Sequence, residues 1–133
     1  MTPQEIERAA DMLFEAEQTG IQCGLVSLEW PNITLDEAYL IQADLIEKKK
    51  VSGRKVIGWK IGLTSRAMQQ ALNITTPDSG VLLDNMRFES GTTVPAGRFI
   101  QPRVEAEIAF VMNEDISGAT VTRDDVIAAT QYV

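Results

Sequence analysis

The chain has 133 residues, 44% hydrophobic and 23% charged, the size and composition of one ordinary globular domain. Twelve Lys and Arg against 19 Asp and Glu leave a net charge of −7, which argues against sequence-independent nucleic-acid binding and against an anionic membrane surface. Histidine is absent and Cys23 is the only cysteine, so this chain alone holds no internal disulfide, His-ligated zinc, Ser-His-Asp triad or Cys-His dyad.

The first element predicted is a helix. Thr2-Pro3-Gln4-Glu5 is a capping box with Pro at the first helical position, and Ile6, Ala9, Ala10, Leu13 and Phe14 follow at helical spacing. Gly20 is the expected stop, and Ile21 to Trp30 reads as a short apolar link. Thr34-Leu35-Asp36-Glu37 opens a second helix with Ala38, Ile41, Leu45 and Ile46 on its buried stripe. Lys48, Lys49 and Lys50 close it. They read as a solvated, dipole-matched helix end, with an anion-binding patch as the alternative.

Lys55 to Thr64 is strand-like, with Gly58 and Gly62 inside it. Glycines in a strand weaken it unless something approaches the backbone closely. Ser65 caps a short helix carrying Met68 and Leu72. Thr76-Pro77-Asp78-Ser79-Gly80 is turn chemistry, and Val81-Leu82-Leu83 a short buried run. Ile100 to Met112 reads as a strand, and Thr122 opens a last helix through Val126, Ile127, Ala128 and Ala129. That helix lacks a C-cap glycine or a basic last turn, which leads us to expect a chain cut short at its C-terminus. The acidic, polar N-terminus is unlike a secretory signal, and no apolar run approaches membrane-spanning length. The expectation is a cytoplasmic protein without membrane or nucleic-acid partners.

Three places could carry chemistry. Glu105 and Glu107 lie two apart, so a strand would present both carboxylates on one face. A divalent cation such as Mg²⁺ would offset their repulsion, while the plain alternative is the polar outer face of a half-exposed strand. Lys60, inside Trp59-Lys60-Ile61-Gly62, is a lysine among apolar and glycine residues. It suits a substrate carboxylate or proton transfer, and the alternative is a lysine snorkelling from a strand edge. Asp78 is an acid–base candidate on a loop, or simply a turn-former. Cys23 has no basic neighbour and reads as packing.

Three motifs in this order resemble the 2-keto-4-pentenoate hydratase family: Gly58-Trp59-Lys60-Ile61-Gly62-Leu63-Thr64-Ser65, then Pro77-Asp78-Ser79-Gly80-Val81-Leu82-Leu83-Asp84, then Pro102-Arg103-Val104-Glu105-Ala106-Glu107-Ile108-Ala109-Phe110. The resemblance implies an α+β chain of the fumarylacetoacetate hydrolase-like fold, with N-terminal helices followed by the start of a mixed β-barrel-like core. Residues 1–133 would form a single domain, the N-terminal half of a longer hydratase. Residues 1–50 would be its helical region and 51–133 the start of its catalytic core.

The activity implied is that of a lyase of aromatic catabolism, of the homoprotocatechuate type. It hydrates a 2-oxo-alkenoate such as 2-oxohept-4-ene-1,7-dioate to a 4-hydroxy-2-oxo acid, using Mg²⁺ or Mn²⁺. By resemblance Glu105 and Glu107 are metal ligands, with a third carboxylate ligand beyond Val133, Lys60 is the active-site lysine, and Asp78 is an acid–base partner. The implied partners are a small 2-oxo acid or dicarboxylate and further copies of the same chain. Two alternatives stay open: a 4-oxalocrotonate-type decarboxylase of the same fold, and a non-catalytic truncated subunit.

Overall fold

A computed structural model describes all 133 residues as an α+β chain. It forms two compact units, Met1–Gln101 and Pro102–Val133.

The first unit begins with α1 (Pro3–Thr19), where the Thr2–Glu5 capping box forms as expected and Gly20 ends the helix in the left-handed conformation. The expected link after it contains one further turn of helix, α2 (Val26–Glu29). Helix α3 (Leu35–Val51) carries the second capping box, Thr34 with Glu37. Helices α1 and α3 pack through small residues: Ala9, Ala10 and Ile41 are buried, with Ile6, Leu13, Val26, Trp30, Ile33 and Leu45 closing around them. Alanine on α1 lets the helix backbones approach closely. The Arg8 guanidinium lies 5.6 Å from the Trp30 ring centre and pairs with Glu29, fastening α2 to α1.

The lysine run corrects the expectation of a solvated helix end. Lys48 reaches Asp11 at 2.9 Å and Lys50 reaches Glu47 at 2.6 Å, but Lys49 is buried and pairs with Glu17 on α1. Helical spacing turns one lysine of any three consecutive ones toward the neighbouring helix.

Strand β1 (Val56–Gly62) and strand β2 (Asp78–Leu83) form an antiparallel ladder, joined through α4 (Arg66–Leu72), which Ser65 caps. A bulge at Ile57 shifts the register, so Val56 faces Leu83 while Gly58 faces Leu82. The turn expected over 76–80 is shorter than its composition suggested. Asp78, Ser79 and Gly80 are the first residues of β2, because β1 offers their backbone a partner.

In the second unit β3 (Val111–Met112) pairs antiparallel with β4 (Thr130–Tyr132). The long strand expected over Ile100–Met112 is therefore reduced to its last two residues. A strand exists by its ladder, and only Val111 and Met112 have one. Residues 102–110 carry no regular structure, and Val104 is fully exposed. Helix α5 (Arg123–Ala129) starts at the Thr122–Asp125 capping box. It ends where β4 begins, so Thr130–Tyr132 is a strand and not a continuation of the helix. The sheets are two separate two-stranded ladders, and no closed barrel is present.

Candidate functional site

Register places Lys60 and Asp78 on one face of the β1–β2 ladder. Lys60 stands opposite Gly80 and Asp78 opposite Gly62, so the two residues are diagonal neighbours, with Cα positions about 7–8 Å apart for such pairs and within reach of a long side chain. Gly58, Gly62, Gly80 and Leu82 complete that face, while Trp59, Ile61, Val81 and Leu83 point the other way. Three of the positions around Lys60 therefore carry no side chain. Asp78 is the one other ionisable group on the face.

Helix α3 fixes this end of the ladder. The Ser79 backbone N–H donates to the Tyr39 hydroxyl at 3.0 Å, and the Ser79 carbonyl accepts from the Gln42 amide at 3.0 Å. Both backbone groups beside Asp78 are thus held by side chains one turn apart on α3. At the other strand end Leu63 takes a left-handed conformation (φ 53°), and its carbonyl accepts from Gln69 on α4 at 2.6 Å. A β-turn cannot bridge this ladder because α4 intervenes, and these bonds turn the chain out of β1 instead.

Glu105 and Glu107 lie in the second unit, both exposed, in the run that lacks a ladder. The shared strand face expected for them is not formed, because 102–110 has no sheet to define a face. Their chemistry fits a hard divalent cation: two carboxylates supply oxygen donors, and water or a ligand's oxygens would supply the rest. No group of three or more His, Cys, Asp or Glu side chains is placed to hold a metal, so the chain offers at most two such ligands together.

Two concavities of the first unit lie elsewhere. One of about 310 Å³ lies against α4 at Arg66 and Gln69, and one of about 290 Å³ lies between Glu17, Lys49 and Arg54. Neither is lined by Lys60 or Asp78. No helix is long and apolar enough to cross a membrane. Sequence reasoning gave Gly80 only as a turn and motif residue, without its place across from Lys60, and missed Tyr39 and Gln42. The only available signal was glycine spacing, which marks Gly58 and Gly62 but says nothing of the residues across the ladder.

No family model matches the chain. It is 44% identical to 2-oxo-hept-4-ene-1,7-dioate hydratase of Escherichia coli over 93% of its length and 46% of that enzyme's. It is 41% identical to 2-keto-4-pentenoate hydratase of Paraburkholderia xenovorans (strain LB400) over all of its length and 49% of that enzyme's. The chain is a homologue of the 2-keto-4-pentenoate hydratases. It spans about half the length of the curated relatives it matches. The solved structure of 4-oxalocrotonate decarboxylase from Pseudomonas putida G7, complexed with magnesium and adipate, matches 99% of this chain and 50% of its own. The TM-score is 0.92 and the identity 32%. Another structure of that decarboxylase holds calcium and acetate. The fold is thus shared with about half of this fumarylacetoacetate hydrolase-like enzyme, and no closed barrel is present.

Proposed function

We propose that this chain is the N-terminal half of a divalent-metal-dependent hydratase that adds water to a 2-oxo-alkenoate in bacterial aromatic catabolism. The observation that carries the reading is identity of 41–44% over 93–100% of the chain to enzymes named as hydratases of such acids. The substrate class is a small 2-oxo acid or dicarboxylate of the 2-oxohept-4-ene-1,7-dioate type, and the product is a 4-hydroxy-2-oxo acid.

Glu105 and Glu107 are assigned as ligands of Mg²⁺ or Mn²⁺, supported by their hard oxygen donors and by the metals held in the structural neighbour. When bound, the cation supplies Lewis acidity at the 2-oxo oxygen and charge for the adjacent carboxylate. Lys60 is assigned to hold the substrate and move a proton, and Asp78 to share that proton traffic as its diagonal neighbour. Protonation at C5 of the 2-hydroxydiene form, with loss of the 2-hydroxyl proton, leaves a C3–C4 double bond conjugated with the C2 carbonyl. Water then adds its hydroxyl at C4, and its remaining proton ends at C3.

The second reading, decarboxylation, is favoured by the match to 4-oxalocrotonate decarboxylase. One assay separates the two. The purified chain is incubated with 2-oxohept-4-ene-1,7-dioate or, separately, with 4-oxalocrotonate, in Mg²⁺ with and without EDTA, while circular dichroism confirms folding. EDTA-sensitive loss of the ultraviolet band with a mass gain of one water supports hydration. Release of CO₂ from 4-oxalocrotonate supports the second reading. A folded chain that leaves both acids untouched assigns the activity to the longer protein only.

A further inference from the structure

Glycine in a strand needs a reason, since it weakens the ladder and leaves nothing to pack. Gly62 and Gly80 have no conformational one. Neither has positive φ, and the left-handed glycines of this chain are at other positions. Gly62 has a packing reason. A Cβ there would collide with the Asp78 carboxylate, whose Oδ1 occupies the space that a side chain would fill. Gly80 has none within the chain, because a Cβ on it would meet nothing within 4 Å. Yet Gly80 lies directly across from Lys60, on the face that Asp78 shares.

We propose that both glycines serve the ligand of Lys60. Gly62 is a positioning residue that keeps the niche in which the Asp78 carboxylate lies beside Lys60. Gly80 is a specificity-determining residue that leaves the floor opposite Lys60 bare, so that the carbon chain of a 2-oxo acid can lie on the strand backbone. This rests on the assignment of Lys60 to the substrate made above. Gly58 shares the face but adjoins the bulge, which gives it a reason of its own.

The test uses the whole chain and 2-oxoadipate, a saturated 2-oxo dicarboxylic acid that cannot be hydrated. Affinity is measured by calorimetry in Mg²⁺, and amide exchange at Lys60 and Leu82, whose N–H groups face the partner strand, reports whether the ladder is intact. Gly80→Val is expected to weaken binding by roughly tenfold or more, the size of penalty that intruding methyl groups impose in a filled space. Gly80→Ala is expected to weaken it less, and it replaces the valine variant if valine disturbs the ladder. Gly62→Ala is expected to weaken binding in the parent but to have no further effect in an Asp78→Ala background, because it acts through Asp78.

Equal loss from Gly62→Ala in both backgrounds overturns the positioning role. Unchanged affinity in Gly80→Val, while Lys60→Met abolishes binding, overturns the floor and leaves the Lys60 assignment standing. Binding that survives Lys60→Met sinks that assignment itself. A folded parent chain that does not bind 2-oxoadipate overturns the floor as a property of this chain.

Discussion

Lys49 on α3 is buried and forms an ion pair with Glu17 on α1. It is the only buried charged residue, so the α1–α3 interface holds one desolvated cation beside a carboxylate that is about a third exposed. Removing the carboxylate strands that cation, whereas removing the cation leaves Glu17 able to turn to water. Glu17→Gln is expected to cost about 1–3 kcal/mol, below the range for wholly buried pairs because Glu17 is partly solvated. Lys49→Met, which keeps the stem and drops the charge, is expected to cost less. Urea denaturation of both variants gives the order. The reverse order would show that the lysine's hydrogen bonding outweighs its desolvation.

Glu37 ties the start of α3 to the start of α1. Its carboxylate accepts from the Met1 ammonium and from the Thr34 backbone N–H. Those two bonds, the ammonium first, hold its pKa at about 2 against an ordinary 4.5. A depressed folded-state value means that the unfolded chain binds more protons between the two values. The stabilisation is present above the ordinary value and is lost as pH falls through the folded one. Glu37→Gln is expected to lower the melting temperature at neutral pH, and the gap should narrow as pH falls from about 4.5 toward 2. A gap independent of pH would mean that the amide loses packing and not charge.

The parts of the fold legible in the sequence are those set by local chemistry. Thr2, Thr34, Ser65 and Thr122 each announced a helix, and each side chain caps one. What the sequence hid depends on pairing. Alternation from Val104 to Met112 resembles a strand, but a strand needs a neighbour, and only Val111 and Met112 have one. Asp78 looked like a turn residue because its composition is that of a turn, and the backbone of Gly62 opposite made it a strand residue. The same holds for the candidate site. Lys60 and Glu105 stood out by residue type, whereas Gly80 and Tyr39 matter through register and helix packing, which local sequence does not carry.

Tyr39 gives the clearest test of how α3 holds the ladder. Its hydroxyl accepts from the N–H of Ser79, the residue after Asp78. Tyr39→Phe keeps the ring and removes the acceptor, at a net cost of about 0.5–1.5 kcal/mol. Amide exchange at Ser79 is expected to speed up by about twofold to twelvefold, the equilibrium shift for a loss of that size. Exchange at Leu82, further along the ladder and facing β1, should change less. Equal acceleration at both would mean that the ladder opens as one unit and that Tyr39 supports all of it.

The carboxylate pair makes the last prediction. Glu105 and Glu107 are exposed and close in sequence, so each raises the local density of negative charge felt by a cation. Exposure also leaves the cation mostly hydrated, and two ligands without a third acid give weak binding. Mn²⁺ should bind more tightly than Mg²⁺ at the same oxygens, following the general order of divalent affinities. Mn²⁺ titration of the chain, followed by loss of the free-ion paramagnetic resonance signal, should show one weak site that Mg²⁺ displaces. Glu105→Gln and Glu107→Gln should each weaken it by about tenfold, since an amide keeps one oxygen donor but loses the charge. Asp124→Asn, on the exposed first turn of α5, should leave it unchanged. Equal loss from all three substitutions would reduce the site to a diffuse response to the net charge of −7.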